Sequence, residues 1–233
     1  MLVGGFQKLT LIDYPGKVAT TVFTVGCNFR CPFCHNPELI DFPKGELPTY
    51  RKNEEAFFDF LEKRRGLLDG VCVTGGEPTV QPDLLEFLEK VKNMGFLVKL
   101  DTNGSRPEIV AEVIGRGLAD FFAMDIKNRM GRYGETSGSD VSEERIRESI
   151  RRIRESGTPY EFRTTVVPGL HDESDFDGIA ELIDGAPTYY LQEFRDFRIL
   201  SPGLRDRAKG KTIDLDAIAV RLAPRFGKVG VRR

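Results

Sequence analysis

The chain has 233 residues, 34 Lys+Arg against 36 Asp+Glu, and a formal net charge of −2. No large field of one sign is available, which argues against coating of nucleic acid or an anionic membrane. With 40% hydrophobic and 30% charged residues, the composition is globular, and the length fits one α/β domain over residues 1–233. No stretch approaches the roughly 18 uninterrupted apolar residues of a membrane span. The start, MLVGGFQKLTLIDYPGK, lacks the basic region and apolar run of a signal peptide. A cytoplasmic protein is expected, in which four cysteines point to metal or redox chemistry before disulfides.

Along the chain, strands and helices alternate. Val18–Val25 is β-branched and reads as a strand ending at Gly26; Asn53–Leu68 reads as a helix capped by Asn53. Val71–Thr74 is a short strand before Gly75-Gly76, and Pro82–Met94 a helix with Leu84, Leu88 and Val91 on one side. Phe96–Asp101 follows as a strand. Ser105 and Glu108 have capping-box spacing for a helix ending near Gly117. Asp120–Ile126, Pro159–Val167 and Thr188–Phe194 read as further strands. Ser142–Ser156, Ser174–Asp184 and Asp214–Leu222 read as helices, and Gly203–Lys211 as a basic loop. Six β-then-α units predict a parallel sheet with right-handed crossovers, an open or partly closed barrel.

In such architectures chemistry collects at the carboxyl ends of strands. The first strand ends in Cys27, Cys31 and Cys34, a C-x3-C-x2-C loop. The second ends in Gly75-Gly76-Glu77-Pro78, the third in Asp101-Thr102-Asn103-Gly104 and the fourth in Asp125-Ile126-Lys127; the fifth carries Arg163, and the sixth ends near Gln192-Glu193. Three thiolates can hold three irons of a [4Fe–4S] cube and leave the fourth open, whereas electron-transfer clusters take four Cys. Cys72, within an apolar strand, reads as core packing, with a fourth ligand as the alternative. A zinc site of Cys27, Cys31, Cys34 and His35 requires two adjacent residues to bend onto one ion. A CPxC dithiol at Cys31 and Cys34 leaves Cys27 unexplained and belongs to a fold of about half this length.

The C-x3-C-x2-C loop, with Phe33 before its last cysteine and Gly75-Gly76-Glu77-Pro78 after the next strand, resembles the radical S-adenosylmethionine (radical SAM) enzymes. Cys34-His35-Asn36, Asp101-Thr102-Asn103-Gly104, Asp125-Ile126-Lys127 and Arg163 with Val166-Val167-Pro168-Gly169 resemble the glycyl-radical-enzyme activases. The leader Gly5–Thr10 and Asp13–Lys17 is most similar to the activating proteins of anaerobic ribonucleoside-triphosphate reductases. The resemblance implies a partial (β/α)6 TIM-like barrel of the radical SAM type. It implies a [4Fe–4S] cluster on Cys27, Cys31 and Cys34, and S-adenosylmethionine held near Phe33, Gly75, Gly76, Glu77, Asp101, Thr102, Asn103, Asp125, Lys127 and Arg163.

In this resemblance Gly75-Gly76-Glu77 meets the methionine amino group and Arg163 the carboxylate. Asp125 and Lys127 meet the ribose or carboxylate region, and Asp101 and Thr102 lie near a monovalent cation. The implied activity is abstraction of a glycine Cα hydrogen in a partner, anaerobic ribonucleotide reductase. Where pyruvate formate-lyase activases carry a histidine, this chain has Gln192 and Glu193, which turns the resemblance away from pyruvate formate-lyase. No further cysteine cluster is present, so electrons are expected from an external donor such as flavodoxin or ferredoxin. A small-molecule substrate, as in 7-carboxy-7-deazaguanine synthase, is the rival within the family.

Each position also has a plainer reading. Asp101 and Asn103 fit turn caps, Asp125 and Lys127 an ion pair, Arg163 a strand surface, Glu77 a surface residue after a turn, and His35 a structural hydrogen-bonder. His171 reads as solvated. The arginines of the Ser142–Ser156 helix read as a solvated face, with Glu143 and Glu148 four residues before Arg147 and Arg152.

Overall fold

The computed structural model describes residues 1–41, 45 and 47–233. Among the described residues eight strands form one sheet in sequential order: β1 (Val3–Thr10), β2 (Ala19–Thr24), β3 (Gly70–Gly75), β4 (Leu97–Thr102), β5 (Phe121–Asp125), β6 (Tyr160–Val166), β7 (Tyr189–Glu193) and β8 (Val229–Arg232). β1 is antiparallel to β2, and β2 to β8 are all parallel. The six expected β-then-α units are present, on β2 to β7. The flanking strands were not anticipated: Gly4 and Gly5 obscure the alternation in β1, and β8 has only four residues around Gly230.

The helices are α1 (Leu47–Glu62), α2 (Leu84–Asn93), α3 (Pro107–Gly115), α4 (Tyr133–Ser137), α5 (Glu143–Glu155), α6 (Asp175–Leu182), α7 (Leu204–Ala208) and α8 (Leu215–Leu222). Their apolar sides cover the outer face of the sheet. Val71, Val73, Val98, Leu100, Phe122, Met124 and Phe162 meet Phe57, Leu61, Leu88, Val91, Ile146, Ile150 and Ile153 in one buried cluster. Among the described residues no helix is long and apolar enough to cross a membrane.

Two helix starts differ from the sequence reading. α1 begins at Leu47 with Pro48 in its first turn, and Asn53 sits within it. The Asn53 side chain donates instead to the carbonyls of Val3 (3.0 Å) and Gly4 (3.3 Å), tying the helix to β1. α3 begins at Pro107, and Ser105 makes no capping box. Its N–H donates to Asn103 Oδ1 and its hydroxyl accepts from Asn28. The basic loop after β7 contains α7, and α4 was not anticipated. On α5, Arg145 reaches Glu108 and the Ser105 carbonyl, joining it to α3; Glu148 pairs with Arg152, while Glu143 accepts from the Gly131 N–H.

The inner face is polar. From the floor upward it carries Thr21, bonded to Asp13 (2.5 Å), then Cys72, Lys99, Asp101, Glu161, Arg163 and Asp125. Tyr14 is buried against Phe121, with ring centroids 6.1 Å apart, and plugs that floor. Asn53→Ala removes both donors to β1 and is expected to cost about 1 kcal/mol in urea unfolding; an unchanged midpoint would show that Asn53 does not hold β1.

Candidate active site

The polar column opens at the carboxyl ends of the strands into a cavity of about 180 Å³. Its lining includes every expected site residue: Cys27, Cys31, Cys34, Phe33, Gly75, Gly76, Glu77, Asp101, Thr102, Asn103, Asp125, Lys127 and Arg163. Phe29, His35, Thr74, Pro78 and Thr165 complete it. The signal for Thr74 and Thr165 was available, since each lies one alternation further along a strand than an inward residue, Cys72 or Arg163.

The cysteine loop is gripped from three sides. The N–H groups of Gly26 and Cys27 donate to the carbonyls of Leu39 (2.7 Å) and Ile40 (3.0 Å). From the β5–α5 connection, the Ser137 carbonyl accepts from the Arg30 N–H (2.9 Å) and the Ser139 hydroxyl donates to Asn28 O. From the segment after β7, the Ser201 N–H donates to Pro32 O (3.0 Å), and His35 bonds the Arg195 carbonyl while stacking on Phe194 and Phe197. Gly138 permits the second grip: its φ is +64°, and a Cβ there would lie 2.1 Å from the Arg30 carbonyl oxygen.

All four cysteines are free thiols. Burial pushes the Cys31 thiol up to about 11, against the pull of the Lys127 ammonium. Cys27 and Cys34 are also raised by burial, and each sulfur has a backbone N–H directed to it, from Phe29 and Asn36. Among the described residues no three Cys, His, Asp or Glu side chains converge closely enough to hold a single metal ion. The His35 Nε2 is taken by the Arg195 carbonyl. That donor set suits three corners of a polynuclear cluster better than tetrahedral zinc. Cys72 is buried as expected, but in the polar column, with Asp101 Oδ1 and Lys99 Nζ each 3.7 Å from its sulfur.

Gly76 explains the second motif sterically, because a Cβ would lie 2.2 Å from the Gly26 carbonyl oxygen at the root of the cysteine loop. Glu77 is not a surface residue; it is 1% exposed. Its Oε1 accepts from the Thr79 N–H (3.1 Å) and the hydroxyls of Thr79 (2.6 Å) and Thr102 (2.7 Å), and its Oε2 from the Asn103 N–H (2.6 Å). Burial holds its pKa above the ordinary carboxylate value, and these four donors act against that rise. Asn103 reaches Asn28 (3.0 Å), so β3, β4 and the cysteine loop are linked through side chains.

Along the cavity wall the charges alternate. Lys99 pairs with Asp101, Asp101 Oδ2 with Arg163 Nη1 (3.1 Å), Arg163 Nε with Asp125 Oδ1 (2.9 Å), and Asp125 Oδ2 with Lys127 Nζ (3.0 Å). Burial works against the charge of Asp125, and Arg163 and Lys127 outweigh it, holding its pKa well below the usual carboxylate range. Lys127 also lies 5.7 Å from the Phe33 ring centroid. His171, far from solvated, is 2% exposed. Its Nδ1 accepts from the Val167 N–H (3.0 Å), which leaves Nε2 to donate to the Lys127 carbonyl (2.8 Å).

The Radical SAM superfamily model matches residues 21–183. The "Putative glycyl-radical enzyme activating enzyme MJ1227" of Methanocaldococcus jannaschii is 36% identical over 200 residues, 83% of this chain and 80% of that protein. The pyruvate formate-lyase-activating enzyme of Clostridium pasteurianum is 26% identical, over 74% of this chain and 71% of its own. A crystal structure of a domain of the pyruvate-formate lyase-activating enzyme from Bacteroides vulgatus matches 70% of this chain and 99% of its own, with TM-score 0.52 and 24% identity. The chain belongs to the radical SAM superfamily, whose members use a [4Fe–4S] cluster and S-adenosylmethionine, and its type is that of the glycyl-radical-enzyme activating enzymes.

Gly138→Ala forces the Arg30 carbonyl and the Ser137 segment apart. Iron incorporated on anaerobic reconstitution is expected to fall several-fold while the circular dichroism of the barrel is kept; full iron content would show that this grip is dispensable. Burial holds the His171 pKa below its ordinary value of 6.5, against the Lys127 carbonyl and Asp175. The folded state therefore binds fewer protons than the unfolded chain. This contribution to stability is complete above pH 6.5 and is lost as pH falls through 6.5 toward the folded value. His171→Gln is expected to flatten that slope in urea titrations between about pH 7 and 5, and an unchanged slope would remove His171 as its source.

Proposed function

We propose that this radical SAM protein, as one domain over residues 1–233, activates a glycyl-radical enzyme, specifically an anaerobic ribonucleoside-triphosphate reductase. The observation that carries the reading is convergence: three thiols, a glycine-lined strand end and a row of paired cations meet in one cavity. The leader and Cys34-His35-Asn36 favour the reductase as partner, as does Gln192-Glu193 at the end of β7. Bound and reduced by an external low-potential donor of the flavodoxin or ferredoxin kind, the cluster and S-adenosylmethionine supply a 5′-deoxyadenosyl radical and methionine.

The chain's own residues then have separable tasks. Cys27, Cys31 and Cys34 hold the cluster, and the backbone N–H groups of Phe29 and Asn36 bias two of those sulfurs toward the thiolate. Arg163 offers a carboxylate its Nη2, which has no acceptor among the described residues, since Nε and Nη1 are occupied. Lys127 offers a second cation, and Asp125 a hydroxyl acceptor for a ribose. Gly75 and Gly76 present bare backbone for an ammonium, while Glu77, with Thr102 and Asn103, fixes the distance between the two strand ends. Asp101, between Lys99 and Arg163, keeps Arg163 charged and oriented.

Anaerobically reconstituted protein given dithionite and S-adenosylmethionine is expected to form 5′-deoxyadenosine, and with an anaerobic ribonucleoside-triphosphate reductase from the same organism a glycyl radical signal. Release of 5′-deoxyadenosine without any radical in that reductase would sink the partner assignment. Stimulation by a small molecule in place of the protein would favour the deazaguanine-type rival. Cys31→Ala is expected to abolish the broad absorption near 400 nm, and Cys72→Ala to keep it; the reverse would overturn the ligand set.

A further inference from the structure

Outside the cavity lining, the polar column contains a third acidic group that competes for Arg163. Glu161 lies two residues earlier on β6 and on the same inner face, only 2% exposed. Its Oε1 is 3.9 Å from Arg163 Nη1, too long for a hydrogen bond but close enough for attraction. Asp101 and Asp125 hold the same guanidinium at 3.1 and 2.9 Å. Arg163 thus sits among three carboxylates, of which Asp101 and Asp125 line the cavity and Glu161 does not.

What occupies Glu161 is Arg232, the penultimate residue, on the C-terminal strand β8. Its Nη1 and Nη2 donate to Glu161 Oε1 and Oε2 at 2.9 and 2.8 Å, a two-pronged pair. The same guanidinium lies 3.5 Å over the Tyr190 ring on β7. Arg232 lies outside the family-matched residues 21–183, on a strand not anticipated from the sequence.

We infer that Arg232 is a positioning residue for S-adenosylmethionine binding: by occupying Glu161 it keeps the Arg163 guanidinium directed at the cavity. A buried carboxylate stripped of its partner takes the nearest cation, and the nearest is Arg163. Without Arg232, Arg163 Nη1 closes on Glu161 and its hold on Asp101 and Asp125 loosens. A substrate carboxylate then meets a guanidinium turned toward Glu161 and away from the cavity lining. The inference rests on the reading of Arg163 as the group that meets that carboxylate.

The test compares anaerobically reconstituted wild type with Arg232→Gln, Glu161→Gln, Glu161→Gln/Arg232→Gln and Arg163→Gln. Binding of S-adenosylmethionine is read by calorimetry, and the position of Arg163 by crystal structures of the variants. Arg232→Gln is expected to weaken binding about tenfold, or roughly 1.4 kcal/mol, and to bring Arg163 Nη1 to about 3 Å from Glu161. The double variant, which removes the competing charge as well, is expected to bind within about threefold of wild type, as is Glu161→Gln alone. Wild-type affinity in Arg232→Gln, or a double variant as weak as the single, would overturn the inference. Should Arg232→Gln fail to fold, Glu161→Gln still decides, because a tenfold loss there would show that Arg163 needs the Glu161 carboxylate. If Arg163→Gln itself binds normally, the error lies in the reading of Arg163 and not in the role of Arg232.

Discussion

The alternating run Lys99, Asp101, Arg163, Asp125, Lys127 sets the geometry of the barrel mouth. Ions buried alone cost several kcal/mol each, and their attraction offsets this only when geometry and hydrogen bonding are good. Here each inner member has a partner on either side: Asp101 between Lys99 and Arg163, Arg163 between Asp101 and Asp125, Asp125 between Arg163 and Lys127. Breaking one link leaves a charge stranded, so the ends of β4, β5 and β6 are coupled in position. Such a run adds less to stability than apolar packing would. What it supplies is orientation, because a guanidinium with two directions fixed has its third fixed as well.

The cysteine loop answers the same demand by other means. It has no regular structure of its own, and ordering it costs roughly 1–2 kcal/mol per residue in backbone entropy. Backbone bonds from distant segments offset that cost: Arg30 to Ser137, Pro32 to Ser201, Gly26 to Leu39. His35 adds a third kind of contact, stacked on Phe194 and Phe197. The Glu77 network joins the two systems, since Asn103 touches both Glu77 and Asn28.

The outer face of the barrel was legible in the sequence because helix packing leaves a period. Ile146, Ile150 and Ile153 on α5, and Leu84, Leu88 and Val91 on α2, are buried where their spacing requires. The strand ends were legible because their residues are expensive to place anywhere else. The inner face was not. Cys72 and Lys99 lie in strands that look apolar throughout, and a parallel strand covered on both sides gives little alternation to read. Asn53, Ser105 and His171 were misassigned for a related reason. Each has the polarity of a cap or a surface group, but its partner lies 44 or more residues away along the chain: Val3 for Asn53, Asn28 for Ser105, Lys127 for His171.

A polar lumen also changes what binding demands of this site. In an apolar barrel, a zwitterionic ligand would bring uncompensated charge into a low dielectric, at the full desolvation cost. Here the positive and negative groups are already desolvated and paired with one another. A ligand carrying both a carboxylate and an ammonium would exchange partners with groups in place, and that pair of opposite charges adds no net charge to the interior. Such exchange works only if the resident pairs are neither too loose nor too tight. The three carboxylates around Arg163 are held in that way, since Asp101 and Asp125 are bonded to it and Glu161 is occupied by Arg232. The plug at Tyr14 keeps the column from draining its field into solvent at the floor. The chain's near-zero net charge has a counterpart inside the barrel, where Lys99, Arg163 and Lys127 face Asp101, Asp125 and Glu161.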